Sequence, residues 1–191
     1  MIKEALYNLQ GFFLYIIKKY LYFNLILSFI LSLILFENIF EWQHYFNVNI
    51  REIFLYGLIP GLIIVMIDLI LMYSLPARYF DDGGINEKVF QNRSIGDIFM
   101  IALIVAVSEE LLFRGVIQTT FGYIIASIIF SLVHFRYLKK PALLISVLFI
   151  SFYIGYLFEL TGNLFVTITT HFIVDFLLGL IIRFKKRGAI N

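Results

Sequence analysis

The chain has 191 residues, 61% of them apolar, with 22 Phe, no Cys and a formal net charge of +2. So apolar a composition at this length excludes an ordinary soluble domain and predicts an all-α polytopic membrane protein, a bundle of about six transmembrane helices. The missing cysteines exclude disulfides, thiolate metal sites and a cysteine nucleophile.

Residues 1–19 mix apolar groups with Lys3, Lys18 and Lys19, which reads as an interfacial helix or an extension of the first span. The first strong apolar run is Tyr20 to Phe36. No small-residue cleavage site follows its basic leader, so it is expected to stay as an anchor. From Glu37 to Glu52 the chain is a loop whose Trp42, Tyr45 and Phe46 suit a membrane interface. Ile53 to Leu75 forms the second span and contains Asp68. Pro76 ends it, and a polar loop with an Asp81-Asp82-Gly83-Gly84 turn leads to the third, Ile95 to Gln118. A fourth span is expected from about Gly122 to Phe135. Pro141 suits the first turn of a fifth that continues to Phe158, and Gly162-Asn163 breaks the chain before a sixth, Leu164 to Ile182.

Cationic residues orient this arrangement, because cytoplasmic loops carry the excess of Lys and Arg. With the N-terminus in the cytoplasm, the basic residues of the leader, the Asp81 loop, the Arg136-Lys139-Lys140 loop and the tail after Ile182 all fall inside. Arg51 alone falls outside, and Arg114 lies within the membrane. A multi-pass protein of the cell membrane is expected, with both termini cytoplasmic. Membrane lipids are its surroundings, and nothing in the chain points to nucleic acid.

The third span holds Ser108-Glu109-Glu110-Leu111-Leu112-Phe113-Arg114. One charge at a helix centre costs about 2.5–3.5 kcal/mol to insert, so three ionisable groups here default to function. Glu110 and Arg114 are four apart and share a helix face, where they can pair. Glu109 is rotated about 100° from that pair and keeps its carboxylate for another use. The bland alternative is a salt-bridged helix end at the membrane surface.

Of three histidines, His134 lies late in the fourth span and His171 in the middle of the sixth. Phe130 precedes His134 by one turn, and Asp175 follows His171 by one turn, each pair on one face. Counted from the outer helix ends, Glu109 and His171 lie at equal depth, with His134 about 4–5 Å deeper. Glu109, His134 and His171 can therefore gather around one water.

These three ordered pairs, Glu109-Glu110-x-x-x-Arg114, Phe130-x-x-x-His134 and His171-x-x-x-Asp175, resemble the motifs of the CAAX prenyl protease and bacteriocin-processing (CPBP, or Abi) family of intramembrane proteases. Thr161-Gly162-Asn163 is similar to the family as well. The resemblance spans roughly residues 95–182. It divides the chain into N-terminal helices with a cytoplasmic loop (1–94), a protease core (95–182) and a basic tail (183–191). It implies that Glu109 is the general base that activates water and that His134 helps to hold the water. Glu110 paired with Arg114 would fix the helix face, and His171 with Asp175 would orient the peptide carbonyl and stabilise the oxyanion. A carboxylate at 175 would repel that oxyanion where Asn would donate to it, so holding the tautomer of His171 is its alternative role.

The family is often labelled metallopeptidase, and Glu109, His134 and His171 would be the ligands if zinc were present. The chain lacks His-Glu-x-x-His spacing, which favours a glutamate mechanism with no cofactor required and leaves zinc as the alternative. The expected substrate is a peptide or membrane-protein segment; no prenylated partner follows from these residues. A non-catalytic scaffold or bacteriocin self-immunity protein of the same fold is the second reading. A proton-coupled transporter is the third, without the inverted repeats that would support it.

Overall fold

In lipid every backbone N–H and C=O must be satisfied within the protein, so the apolar runs fold as helices. The computed structural model describes residues 2–79, 82–137 and 140–184; the side chains of residues 2–18, Ala77 and Arg136 are outside that description. Asp81 of the expected turn, Lys139, and residues 185–191 of the expected basic tail also lie outside the described residues. The helices that matter here are α1 (Ile2–Leu35), α2 (Ile50–Ser74), α3 (Ile85–Phe90), α4 (Ile95–Glu110), α5 (Tyr123–Val133), α6 (Pro141–Thr161) and α7 (Leu164–Phe184). Among the described residues there is no β-strand, and the fold is all-α and membrane-embedded.

Helix α1 runs unbroken over 34 residues, so residues 2–19 extend the first helix instead of lying apart from it. Asn38 then caps a sharp turn, its side chain accepting from Phe40 N while Glu41 accepts from Asn38 N. The following segment, Ile39–Tyr45, lies at 119° to Lys19–Leu35. Its aromatic residues do more than line an interface. Tyr45 packs on Phe158 and Phe46 on Phe165, with ring centroids 5.7 and 5.3 Å apart. Trp42 lies so close to Gly115 that a Cβ there would meet its ring carbons at 2.5 and 2.8 Å. Asn163 ties the loop down, donating from Nδ2 to Asn47 O (2.7 Å) and to Glu52 Oε2 (3.1 Å).

Helix α7 is the hub, packed against α2, α3, α4 and α6. Gly57 and Gly61, one turn apart on α2, let that helix approach it closely. At Gly61 a Cβ would stand 3.0 Å from two Ile173 carbons and 3.2 Å from Thr170 O. The backbone of α2 is π-helical over Ile53–Leu58. There Thr170 Oγ1 donates to Gly57 O at 3.0 Å and Tyr56 O at 3.3 Å, satisfying carbonyls of the widened turn.

Among the described residues, three helices are long and apolar enough to cross a membrane, namely α2, α6 and α7, with a fourth if the bent pair around residue 38 is one span. The stretch beginning with α4 carries Asp97, Glu109, Glu110 and Arg114. Helix α5 has 11 residues, about 16 Å of helix against about 30 Å of hydrocarbon. Length and composition thus support three or four spans among the described residues, where the apolar runs suggested about six.

Candidate active site

Ser94 starts α4 with a capping box: its Oγ accepts from Asp97 N at 3.0 Å, and Asp97 accepts from Ser94 N at 3.2 Å. The helix is regular as far as Glu110 and then π-helical over Leu111–Gln118. Such widened turns are frequent at functional sites. Here the change of helix type falls between Glu110 and Arg114. Glu109, Glu110 and Arg114 are all buried, at 4%, 0% and 1% exposure, so they face protein and not lipid.

Glu110 is held from two sides. Its Oε2 forms an ion pair with Arg114 Nε at 3.3 Å, and its Oε1 accepts from His171 Nδ1 at 2.8 Å. Arg114 is in turn fixed by two further helices. Its Nη2 donates to Ser151 O on α6 at 3.0 Å, and the guanidinium lies 4.5 Å from the centroid of the Phe130 ring on α5. Ser151 donates from Oγ to Ser127 O at 3.0 Å, stitching α6 to α5 behind the arginine. Nearer the aromatic loop, Gln118 Nε2 donates to Gly155 O at 2.9 Å and to Glu159 Oε1 at 2.8 Å. The expected Glu110–Arg114 pair is therefore the centre of a network across four helices.

The bond to Glu110 determines the chemistry of His171. With Nδ1–H donated to Glu110, the other ring nitrogen, Nε2, faces Glu109 Oε2 at 3.8 Å and Asp175 Oδ2 at 3.5 Å. Glu110 thus holds the Nδ1 side of the His171 ring, while Asp175 faces its Nε2 side. Both Nε2 distances exceed a good hydrogen bond and fit a bridging water. Glu109 Oε2 is fully buried and makes no hydrogen bond among the described residues. The Asp175 side chain is 32% exposed, which puts it at the open edge of the cluster.

His134 sits at the C-terminal end of α5, where its Nδ1 donates to Phe130 O at 2.8 Å. Its ring lies 4.8 Å from Phe130, and the His171 ring meets Phe130 edge-on at 6.0 Å. One aromatic ring therefore contacts both histidines and the arginine. Phe130 entered the sequence argument only as a marker of the face of His134. It is a structural member of the site.

Sequence reasoning missed the contribution of α1. This helix packs against α4 and the π-helical turns after it, and it brings the Tyr20 hydroxyl beside the Glu109 carboxyl. Asn24, four residues on, lies against Tyr20 and is 2% exposed. A buried amide inside an apolar run was the signal available, since polar groups there default to function.

Among the described residues no three His, Asp or Glu side chains are spaced to hold a metal ion.

Residues 91–177, which contain all three motif pairs, match a family model described as "Type II CAAX prenyl endopeptidase Rce1-like". The chain is also 43% identical over 154 residues to "Uncharacterized protein YpbD" of Bacillus subtilis (strain 168), an alignment covering 81% of this chain and 82% of that protein. No solved structure matches it. With the buried Glu109-Glu110-Arg114 cluster facing His171, these likenesses place the chain in one family: it belongs to the CAAX prenyl protease and bacteriocin-processing (CPBP) family.

Proposed function

We propose that the protein is an intramembrane endopeptidase that hydrolyses a peptide bond with a glutamate-activated water. The observation that carries this reading is the Glu109 carboxylate, buried with Oε2 unbonded, 3.8 Å from the Nε2 of a histidine whose other nitrogen is fixed. Glu109 takes a proton from water as the oxygen attacks the peptide carbonyl carbon, and returns that proton to the departing amide nitrogen. Set among the Glu110, Glu109 and Asp175 carboxyls, a doubly protonated His171 keeps Nδ1–H on Glu110 and donates Nε2–H to the carbonyl oxygen as it becomes negative. His134 helps to hold the water. Glu110 and Arg114 are positioning residues that act through His171 and the helix face. No step passes through a metal, in keeping with the donor arrangement.

The substrate class is a peptide or a segment of a membrane protein that reaches the cluster from the lipid or from the Asp175 edge. The protease core is residues 95–182, between N-terminal helices (1–94) and a basic tail (183–191), with both termini cytoplasmic. One observation favours the second reading, a scaffold or immunity protein: Asp175 sets a carboxylate 3.5 Å from His171 Nε2, beside the position of the oxyanion.

The test is cleavage of a peptide library, or of a native partner, by purified wild-type and Glu109→Gln protein at matched folded concentration. Glu109→Gln keeps the side-chain size and is expected to fold while losing about 10²–10⁴-fold in turnover. His134 and His171 variants should show the same loss, non-additively with Glu109→Gln. Chelators should leave wild-type turnover unchanged. Full activity in Glu109→Gln would end this mechanism, and a cellular phenotype that survives that variant would favour the scaffold.

A further inference from the structure

We infer that Tyr20 and Asn24 of α1 are positioning residues for Glu109, an inference that rests on the proposed protease reading. Two buried polar groups on facing helices lack hydrogen-bond partners: the Asn24 Nδ2 amide and the Glu109 Oε2 oxygen. The Tyr20 hydroxyl lies beside both side chains. A phenol hydroxyl has one proton to give and lone pairs that accept. It can therefore accept from the Asn24 amide while donating to the Glu109 carboxyl, a relay that satisfies all three groups at once.

Position is the reason this matters. Glu109 has three side-chain torsions, and its own helix neighbours do not hold it, because Glu110 and Arg114 are occupied with each other, with His171 and with Ser151. From α7, His171 Nε2 stands 3.8 Å from Glu109 Oε2, too far for a direct lock. Helix α1 supplies the remaining wall. A displacement of about 1 Å in a reacting group can cost about 10²-fold in rate, so a hydroxyl that fixes the carboxyl acts on turnover and not on substrate affinity. These residues lie outside the 91–177 stretch that carries the family motifs.

Two measurements on the full-length protein in detergent test this. The first is peptide cleavage, with kcat and KM separated, for wild type, Tyr20→Phe, Asn24→Leu, Glu109→Gln and the Tyr20→Phe/Glu109→Gln double variant. Tyr20→Phe should lower kcat about 10- to 100-fold with KM and melting unchanged, and should add nothing in the Glu109→Gln background. The second needs no activity. Dicyclohexylcarbodiimide adds to a protonated carboxyl, and the product rearranges to a stable N-acylurea that mass spectrometry locates. With Asp68 as the internal reference, Tyr20→Phe should raise labelling at Glu109 several-fold by opening the carboxyl to the reagent. Asn24→Leu should do so to a smaller extent. If Glu109→Gln cleaves like the parent, the protease reading falls, and labelling still judges the Tyr20 contact. If Glu109→Gln is inactive while Tyr20→Phe turns over and labels like the parent, the positioning role is overturned.

Discussion

Replacing Arg114 with Met probes the network most sharply, because the substitution keeps most of the volume and removes the charge. Arg114 is 1% exposed and makes three kinds of contact: the ion pair to Glu110 at 3.3 Å, the hydrogen bond to Ser151 O at 3.0 Å and the Phe130 ring at 4.5 Å. Removing one partner of a buried ion pair typically costs about 3–5 kcal/mol, chiefly because the other charge is left alone. A desolvated cation–π contact is worth about 2 kcal/mol, and part of that is already counted in the pair. The expected destabilisation is therefore about 3–5 kcal/mol, read as a shift in reversible unfolding in mixed detergent micelles. Glu110→Gln keeps an oxygen to accept from His171 while removing the orphaned charge. The Arg114→Met/Glu110→Gln double variant should thus be more stable than Arg114→Met alone. A single variant that unfolds like the parent, or a double variant less stable than the single, would refute a buried, charge-coupled pair.

Gly61→Leu should destabilise the bundle by about 1–3 kcal/mol, as overpacking does, because Thr170 O and Ile173 already stand 3.0–3.2 Å from the position of a Cβ; unfolding in micelles checks it. Reporter fusions after Trp42, Asn86, Tyr137 and Asn191 should read outside, inside, inside and inside, and an outside signal at Asn86 or Tyr137 would overturn the orientation.

The helical membrane fold and the residues of the cluster were legible because both depend on local pattern. Apolar runs declare helices, and a one-turn spacing declares a shared face, which is how Glu110–Arg114 and His171–Asp175 could be paired in advance. What was not legible depends on contacts between helices. Nothing in Leu111–Gln118 announces a π-helical backbone, and nothing in the order of residues says that Glu110 serves His171 as well as Arg114. Tyr20 and Asn24 lie nearly ninety positions from Glu109 in a run that reads simply as an anchor. Trp42 reads as an interface ring until Gly115, on another helix, is seen to make room for it. The end of the fourth apolar helix was not legible for a related reason. Apolar character extends to residue 135, but the helix stops at Val133 in a turn fixed by the bond from His134 to Phe130.

That early stop has a consequence for the surrounding lipid. A helix of 11 residues reaches about halfway through a typical hydrocarbon layer, yet Leu132 and Val133 in its last turn, and Phe135 two residues beyond it, are exposed at 56%, 39% and 73%. A short apolar helix facing lipid is commonly met by local thinning of the bilayer, which would draw headgroups and their hydration inward on that side. The dent would fall where His134 stands. On the proposed hydrolase reading, water must reach groups buried among apolar helices, and the shortness of α5 would offer it a route. On the same reading, that thinning would favour entry of a polypeptide whose helix is already frayed at that depth, and the shape of the membrane would contribute to selectivity.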